Sequence, residues 1–162
     1  MPPLRSTLIG AALAVSIGCV STSSTVAAEA NAAREIFEQA GVPGGLIVHL
    51  GCGDGRLTAA LGAADGCLVQ GLDGDERNVE RARAHIKSLG LYGKVSARTF
   101  NGSRLPYVDG LVNLIVADEP GDVPVEELTR VLAPRGVALV GGKKVVKPWP
   151  EKLDEWTHYL HD

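Results

Sequence analysis

The chain has 162 residues, 45% of them hydrophobic and 22% charged, which suits one globular domain with its own core. A net charge of -3 and an aromatic content of 4% exclude a generally basic nucleic-acid surface and the platforms on which bases stack. No nucleic-acid partner is expected.

The first thirty residues differ from the rest. Arg5 gives a short positive start, and Leu8 to Val20 is apolar or small throughout. That run has the length of a signal h-region and falls short of the roughly 20 apolar residues that span a bilayer. Val26-Ala27-Ala28 and Ala28-Glu29-Ala30 both fit a signal-peptidase site. Residues 1–30 therefore read as an export signal, with the mature chain periplasmic or extracellular. A buried N-terminal helix is the plainer alternative, and polar Ser21 to Thr25 speaks against it. Cys19 offers a lipoprotein variant, although the usual Leu three places before it is absent. The mature chain keeps Cys52 and Cys67. No CxxC or Cys/His cluster exists, so no metal site is expected.

From Asn31 onward helical and strand patterns alternate. Ala32 to Ala40 reads as a helix stopped by Gly41. Gly45 to Leu50 is an apolar first strand. Arg56 to Ala64 carries Leu57, Ala60, Leu61 and Ala64 at helical spacing. Cys67 to Leu72 is a second strand, and Asp75 caps a helix running to about Leu89. Lys94 to Phe100 alternates as a third strand. Leu111 to Ala117 is almost wholly apolar, as a strand covered on both faces should be. Val123 to Leu132 reads as a helix, Pro134-Arg135-Gly136 as a turn, and Val137 to Val140 as a fifth strand. This order predicts an α/β, Rossmann-like, doubly wound and mostly parallel sheet. Lys143 to Pro150 reads as a linker, and Glu151 to His161 as a short amphipathic helix. Cys52 and Cys67 are expected at opposite ends of neighbouring parallel strands, too far apart for a disulfide.

The sharpest feature is His49-Leu50-Gly51-Cys52-Gly53-Asp54-Gly55, where an apolar strand gives way to a helix. Glycines there let the backbone turn sharply and let a ligand approach closely. The third glycine is Gly55, and Arg56 stands where a dinucleotide fingerprint needs glycine, which disfavours a nicotinamide oxidoreductase. Asp73 closes the second strand, where a carboxylate can accept both hydroxyls of a ribose.

These motifs, in this order, resemble the class I S-adenosylmethionine-dependent methyltransferases. Val48 to Gly55 is similar to their first motif and Gly71 to Asp75 to their second. Asn101 to Tyr107, Leu111 to Ala117 and Glu127 to Gly136 resemble the later segments, so the likeness covers roughly Gly45 to Gly142. The resemblance implies S-adenosylmethionine as cofactor. His49, Gly51, Cys52, Gly53 and Gly55 would line its methionine and sugar parts, and Asp73 would hold the ribose. Leu72 and Gly74 would border the adenine. Asn101 stands where the family places an Asp facing the adenine amino group, and its amide oxygen can accept the same bond. Asp118 and Glu119, after the fourth strand, are the candidate catalytic bases. The methyl acceptor, a small molecule or a protein, is not identified.

The sequence also departs from the family. His49 replaces the acid that faces the cofactor's positive end, Asn113 an Asp of the fourth strand, and Arg135 the second Gly of a Pro-Gly-Gly turn. The sheet is expected to stop after its fifth strand, leaving an edge for an oligomer partner or a downstream domain to cover. The last residues, around Asp154 to His161, resemble the junction to a quinone-cofactor-type β-propeller in large exported bacterial proteins. Two functional readings stay open: methyl transfer, or a degenerate domain of the same fold that binds a ligand or partner.

Overall fold

The computed structural model describes residues 22–119 and 121–150. Its elements are α1 (Thr22–Ala40), β1 (Gly45–Leu50), α2 (Arg56–Leu61), β2 (Cys67–Asp73), α3 (Glu76–Ser88), β3 (Val95–Thr99), β4 (Val112–Ala117), α4 (Val125–Val131), β5 (Leu132–Val140) and β6 (Lys143–Val146). They form one six-stranded sheet in the order β3-β2-β1-β4-β5-β6. Every pairing is parallel except β5 with β6. The strand order turns at β1, so the sheet's crevice opens where β1 and β4 end side by side. That edge carries the glycine loop.

Successive side chains of a strand point to opposite faces, and β1 buries both sets. Ile47 enters one core cluster, with Leu61 of α2 and Val79, Ala82 and Ile86 of α3. Val48 enters the other, with Leu128 and Val131 of α4. Ala33 and Ala40 of α1 join the first cluster. Each fully buried aliphatic side chain contributes about 1.5–3 kcal/mol relative to exposure. This two-sided burial is why the strands read as unbroken apolar runs.

Three expectations change. α1 starts at Thr22, ten residues before the predicted start, and passes unbroken through Ala28-Glu29-Ala30. The polar run from Thr22 to Thr25, read as a poor helix continuation, is thus helical. Secondly, the sheet does not stop at β5. Lys143 to Val146, read as linker, is an antiparallel sixth strand. Gly141 and Gly142 join it to β5, with φ of 54° and 73°. Positive φ at both central residues is what a type I′ hairpin requires. The Lys144 ammonium then caps α1, donating to the carbonyls of Gln39 and Ala40 at 2.6 and 3.1 Å. Thirdly, α4 ends at Val131, and β5 takes in the Pro134-Arg135-Gly136 segment as an irregularity opposite Val112–Leu114. Arg135 adopts φ 63°, the left-handed backbone that a glycine would take there, and its guanidinium lies 4.8 Å from the Trp149 ring centre.

Cys52 and Cys67 are free thiols, and Cys67 sits beside Gly45, at the opposite end of β1 from Cys52. The predicted terminal helix, with His158 and His161, lies outside the described residues. Among the described residues no group of His, Cys, Asp and Glu could hold a metal ion, and no helix is long and apolar enough to cross a membrane.

Asn113 has a structural task. Its side-chain oxygen accepts from the Leu46 N–H at 3.0 Å, tying β4 to the start of β1. A side chain at Gly45 would collide with that amide, which explains the glycine. Asn113→Ala is expected to leave the half-buried Leu46 N–H unpaired and cost about 1–2 kcal/mol, read as a lower urea midpoint at unchanged slope.

Candidate functional site

Gly51, Gly53 and Gly55 all have positive φ, at 73°, 55° and 80°. They do different work. A Cβ on Gly51 or Gly53 would meet nothing within 4 Å, so these two present bare backbone to open space. A Cβ on Gly55 would lie 2.6 Å from the Ala82 methyl of α3. The third glycine is buried and lets α2 and α3 approach each other. The Cys52 side chain also turns away from the surface, into the core beneath the loop. It packs on Gly71, where a Cβ would come within 2.7 Å of its own. Burial, then the nearby Asp73 charge, pushes its thiol up to about 11, so it is an inert packing group.

Asp73 fastens the loop. One carboxylate oxygen accepts from Gly53 N–H at 2.8 Å. The other accepts from Asp75 N–H at 2.9 Å and the Asn78 amide at 3.1 Å. Partial burial raises its pKa, but these three hydrogen bonds and the His49 ring outweigh that and hold it below the usual carboxylate range. It is thus ionised, and two oxygens offer about four lone-pair directions, so acceptor capacity remains for a sugar hydroxyl. Gly51 and Cys52 N–H both donate to the Leu72 carbonyl, at 2.8 and 3.1 Å, which fixes the loop's height above β2.

His49 lies under the loop, 5% exposed. Its Nδ1 is 2.8 Å from the Thr58 hydroxyl, which is itself fully buried. Burial lowers its pKa below the usual histidine value, while Asp118 and Asp73 partly oppose this. At neutral pH the ring is uncharged.

The remaining predicted residues line the rim. Gly74 is exposed after β2, and Asn101 is exposed after β3. Phe100 N–H donates to the Asp73 carbonyl at 2.8 Å, so the ends of β2 and β3 lie level. Asp118 and Glu119 are exposed immediately after β4. The segment after Asn101 is pinned by Arg130. Its guanidinium donates to Glu127, Asp109 and the carbonyls of Tyr107 and Leu105. Glu127 in turn accepts from Leu105 N–H at 2.7 Å. A separate apolar cavity of about 1020 Å³ runs between α1, α2 and the end of α3, lined by Val26, Ala33, Phe37, Ala60 and Leu89 among others. It contains none of the predicted site residues.

Sequence reasoning missed Thr58 and Asn78. Thr58 lies nine positions from His49, with no local spacing rule to link them. Asn78 sits in the first turn of α3, and its role shows only once β2 and α3 are placed.

A family model described as a methyltransferase domain matches residues 47–136, more than half of the chain. The chain belongs to this methyltransferase-domain family. S-adenosylmethionine is the cofactor that membership implies. The curated methyltransferase GfsG of Streptomyces halstedii is 31% identical over 110 residues, covering 64% of this chain. An uncharacterised Haemophilus influenzae protein is 27% identical over 101 residues, covering 57%. The methyltransferase domain here spans 40% of the length of each of these relatives. Among solved structures, a Methanococcus maripaludis protein described as an S-adenosyl-L-methionine-dependent methyltransferase aligns at TM-score 0.64 and 24% identity, over 73% of this chain and 57% of its own. Geranyl diphosphate C-methyltransferase of Streptomyces coelicolor A3(2), solved with S-adenosyl-L-homocysteine, aligns at 0.60 and 19%, over 68% and 43%. At these identities the likeness concerns the fold.

The neutral, buried His49 gives this methyltransferase domain a pH signature. Its folded pKa lies below its ordinary 6.5. Between the two values the unfolded chain binds a proton that the folded chain refuses, so stability falls as pH drops through that window. Urea unfolding from pH 7.5 down to 5 should show this decline, and His49→Gln should flatten it. An equal decline in both proteins would assign the effect to other groups.

Proposed function

We propose that this chain binds S-adenosylmethionine across the carboxyl ends of β1, β2 and β3 and forms the cofactor-holding part of a methyltransferase whose acceptor is a small molecule or a protein. The observation that carries the reading is the Asp73 carboxylate, joined to Gly53 N–H at the edge of a bare-backbone loop. Those residues fit the group. Gly51 and Gly53 leave room for its sugar and methionine portions, Asp73 has capacity to accept from a ribose hydroxyl, and Gly74 and Asn101 flank the adenine edge. When bound, the cofactor supplies a methyl group on a positively charged sulfur. The chain's own part is to orient that group and exclude water. Asp118 or Glu119 would act as base where the acceptor carries a proton.

A second reading, a binding module without catalysis, is favoured by one observation: the uncharged His49 under the loop gives a cationic ligand no compensating charge. We also infer export directed by residues 1–30, on the strength of the leader sequence alone. Cleavage after Ala28 or Ala30 would shorten α1 and keep Ala33, Ile36 and Phe37, the residues that pack on the core. A partner or a downstream domain covering the sheet edge would meet β6.

Calorimetric titration with S-adenosylmethionine and S-adenosylhomocysteine tests the proposal. Binding by at least one ligand is expected, weakened at least tenfold in Asp73→Ala. Absence of heat with both ligands, from a chain shown to be folded, would sink it.

A further inference from the structure

We propose that Asp118, at the end of β4, is the residue that neutralises the positive methionine end of the cofactor, so the chain's preference for a charged over a neutral adenosyl ligand is set from β4 rather than from β1. The inference rests on the cofactor reading above and adds a role to one residue within it.

Pairing places the residue. His49 lies opposite Val116 and Leu50 opposite Ala117, in parallel register. The next position on each strand is Gly51 on β1 and Asp118 on β4. Adjacent strands lie about 4.8 Å apart, so Asp118 leaves β4 at the same level at which the glycine loop leaves β1, near enough for its charge to act on the His49 ring. The Gly141 N–H donates to the Ala117 carbonyl at 3.0 Å, which holds this strand end in place.

Elimination points to the same residue. A ligand carrying an ammonium and a sulfonium needs an anion beside it in a partly dry site. Asp73 is ionised but already accepts three hydrogen bonds and faces the sugar position. Asp54 accepts from Arg56 N–H and pairs with its guanidinium at 3.1 Å. The groups facing the underside of the loop from β1, α2 and the loop itself are His49, Thr58 and Cys52, none of them anionic at neutral pH. Glu119 lies one residue further out and exerts no resolved influence on His49, whereas the Asp118 field reaches that ring. Asp118 itself has no hydrogen bond or ion pair among the described residues, so its carboxylate is available.

The test compares charged and neutral ligands on the full chain. S-adenosylmethionine carries the cationic end; 5′-methylthioadenosine shares the nucleoside and sulfur and is neutral. Asp118→Asn should weaken S-adenosylmethionine about tenfold and leave 5′-methylthioadenosine within twofold, as loss of one charge-assisted contact would. Asp118→Glu should recover most of the loss. A ligand-free readout accompanies this: the His49 imidazole titration, followed by NMR, should move to lower pH in Asp118→Asn. An unchanged ratio of the two affinities overturns the proposal even if His49 shifts. Failure of both S-adenosylmethionine and 5′-methylthioadenosine to bind the unaltered, folded chain would instead remove the cofactor reading itself.

Discussion

The Asp73 carboxylate stands between three parts of the chain that would otherwise be independent. It closes β2, accepts from the glycine loop that follows β1, and accepts from the first turn of α3 through Asp75 and Asn78. Each donor is a group that would need another partner if the carboxylate were absent. At Gly51 and Gly53 the loop has no side chain to anchor it to β2, and Cys52 points inward. Its shape is therefore imposed from the neighbouring strand. The same bonds that shape the loop also keep Asp73 ionised, so the group that positions the site is the group that gives it polarity.

Around that tie the fold arranges two packed faces. The helices α1, α2 and α3 cover one side of the sheet, and α4 with the β3–β4 segment covers the other. Gly55 belongs to the first of these arrangements. Its missing side chain admits Ala82, so a glycine that looks like part of a ligand motif is a helix-packing residue. Two of the three glycines serve the surface and one serves the interior.

Much of this was legible in the sequence. Apolar runs of strand length and the Asp75 cap led to five of the six strands and to the α/β class. Two misses share a physical cause, local polarity that hid a regular element. Lys143 and Lys144 made a strand look like a linker, although Gly141-Gly142 between two apolar segments is a hairpin signal. Serine and threonine before Val26 looked like a break, although the helix runs through them. The His49–Thr58 contact was not legible at all, since it depends on α2 folding back over β1. The packing of Gly55 on Ala82 was not legible either, because the sequence gives a glycine's backbone freedom but not what lies beside it.

The Arg130 cluster has a consequence for recognition. The segment from Phe100 to Asp109, which carries Asn101, is held at one end by the Asp73 carbonyl and at the other by a guanidinium whose donors are all engaged. A loop fixed in this way surrenders little motional freedom when a nucleoside arrives. The entropic toll of association would then fall mostly on the guest, favouring rigid heterocycles over floppy ones of equal contact area.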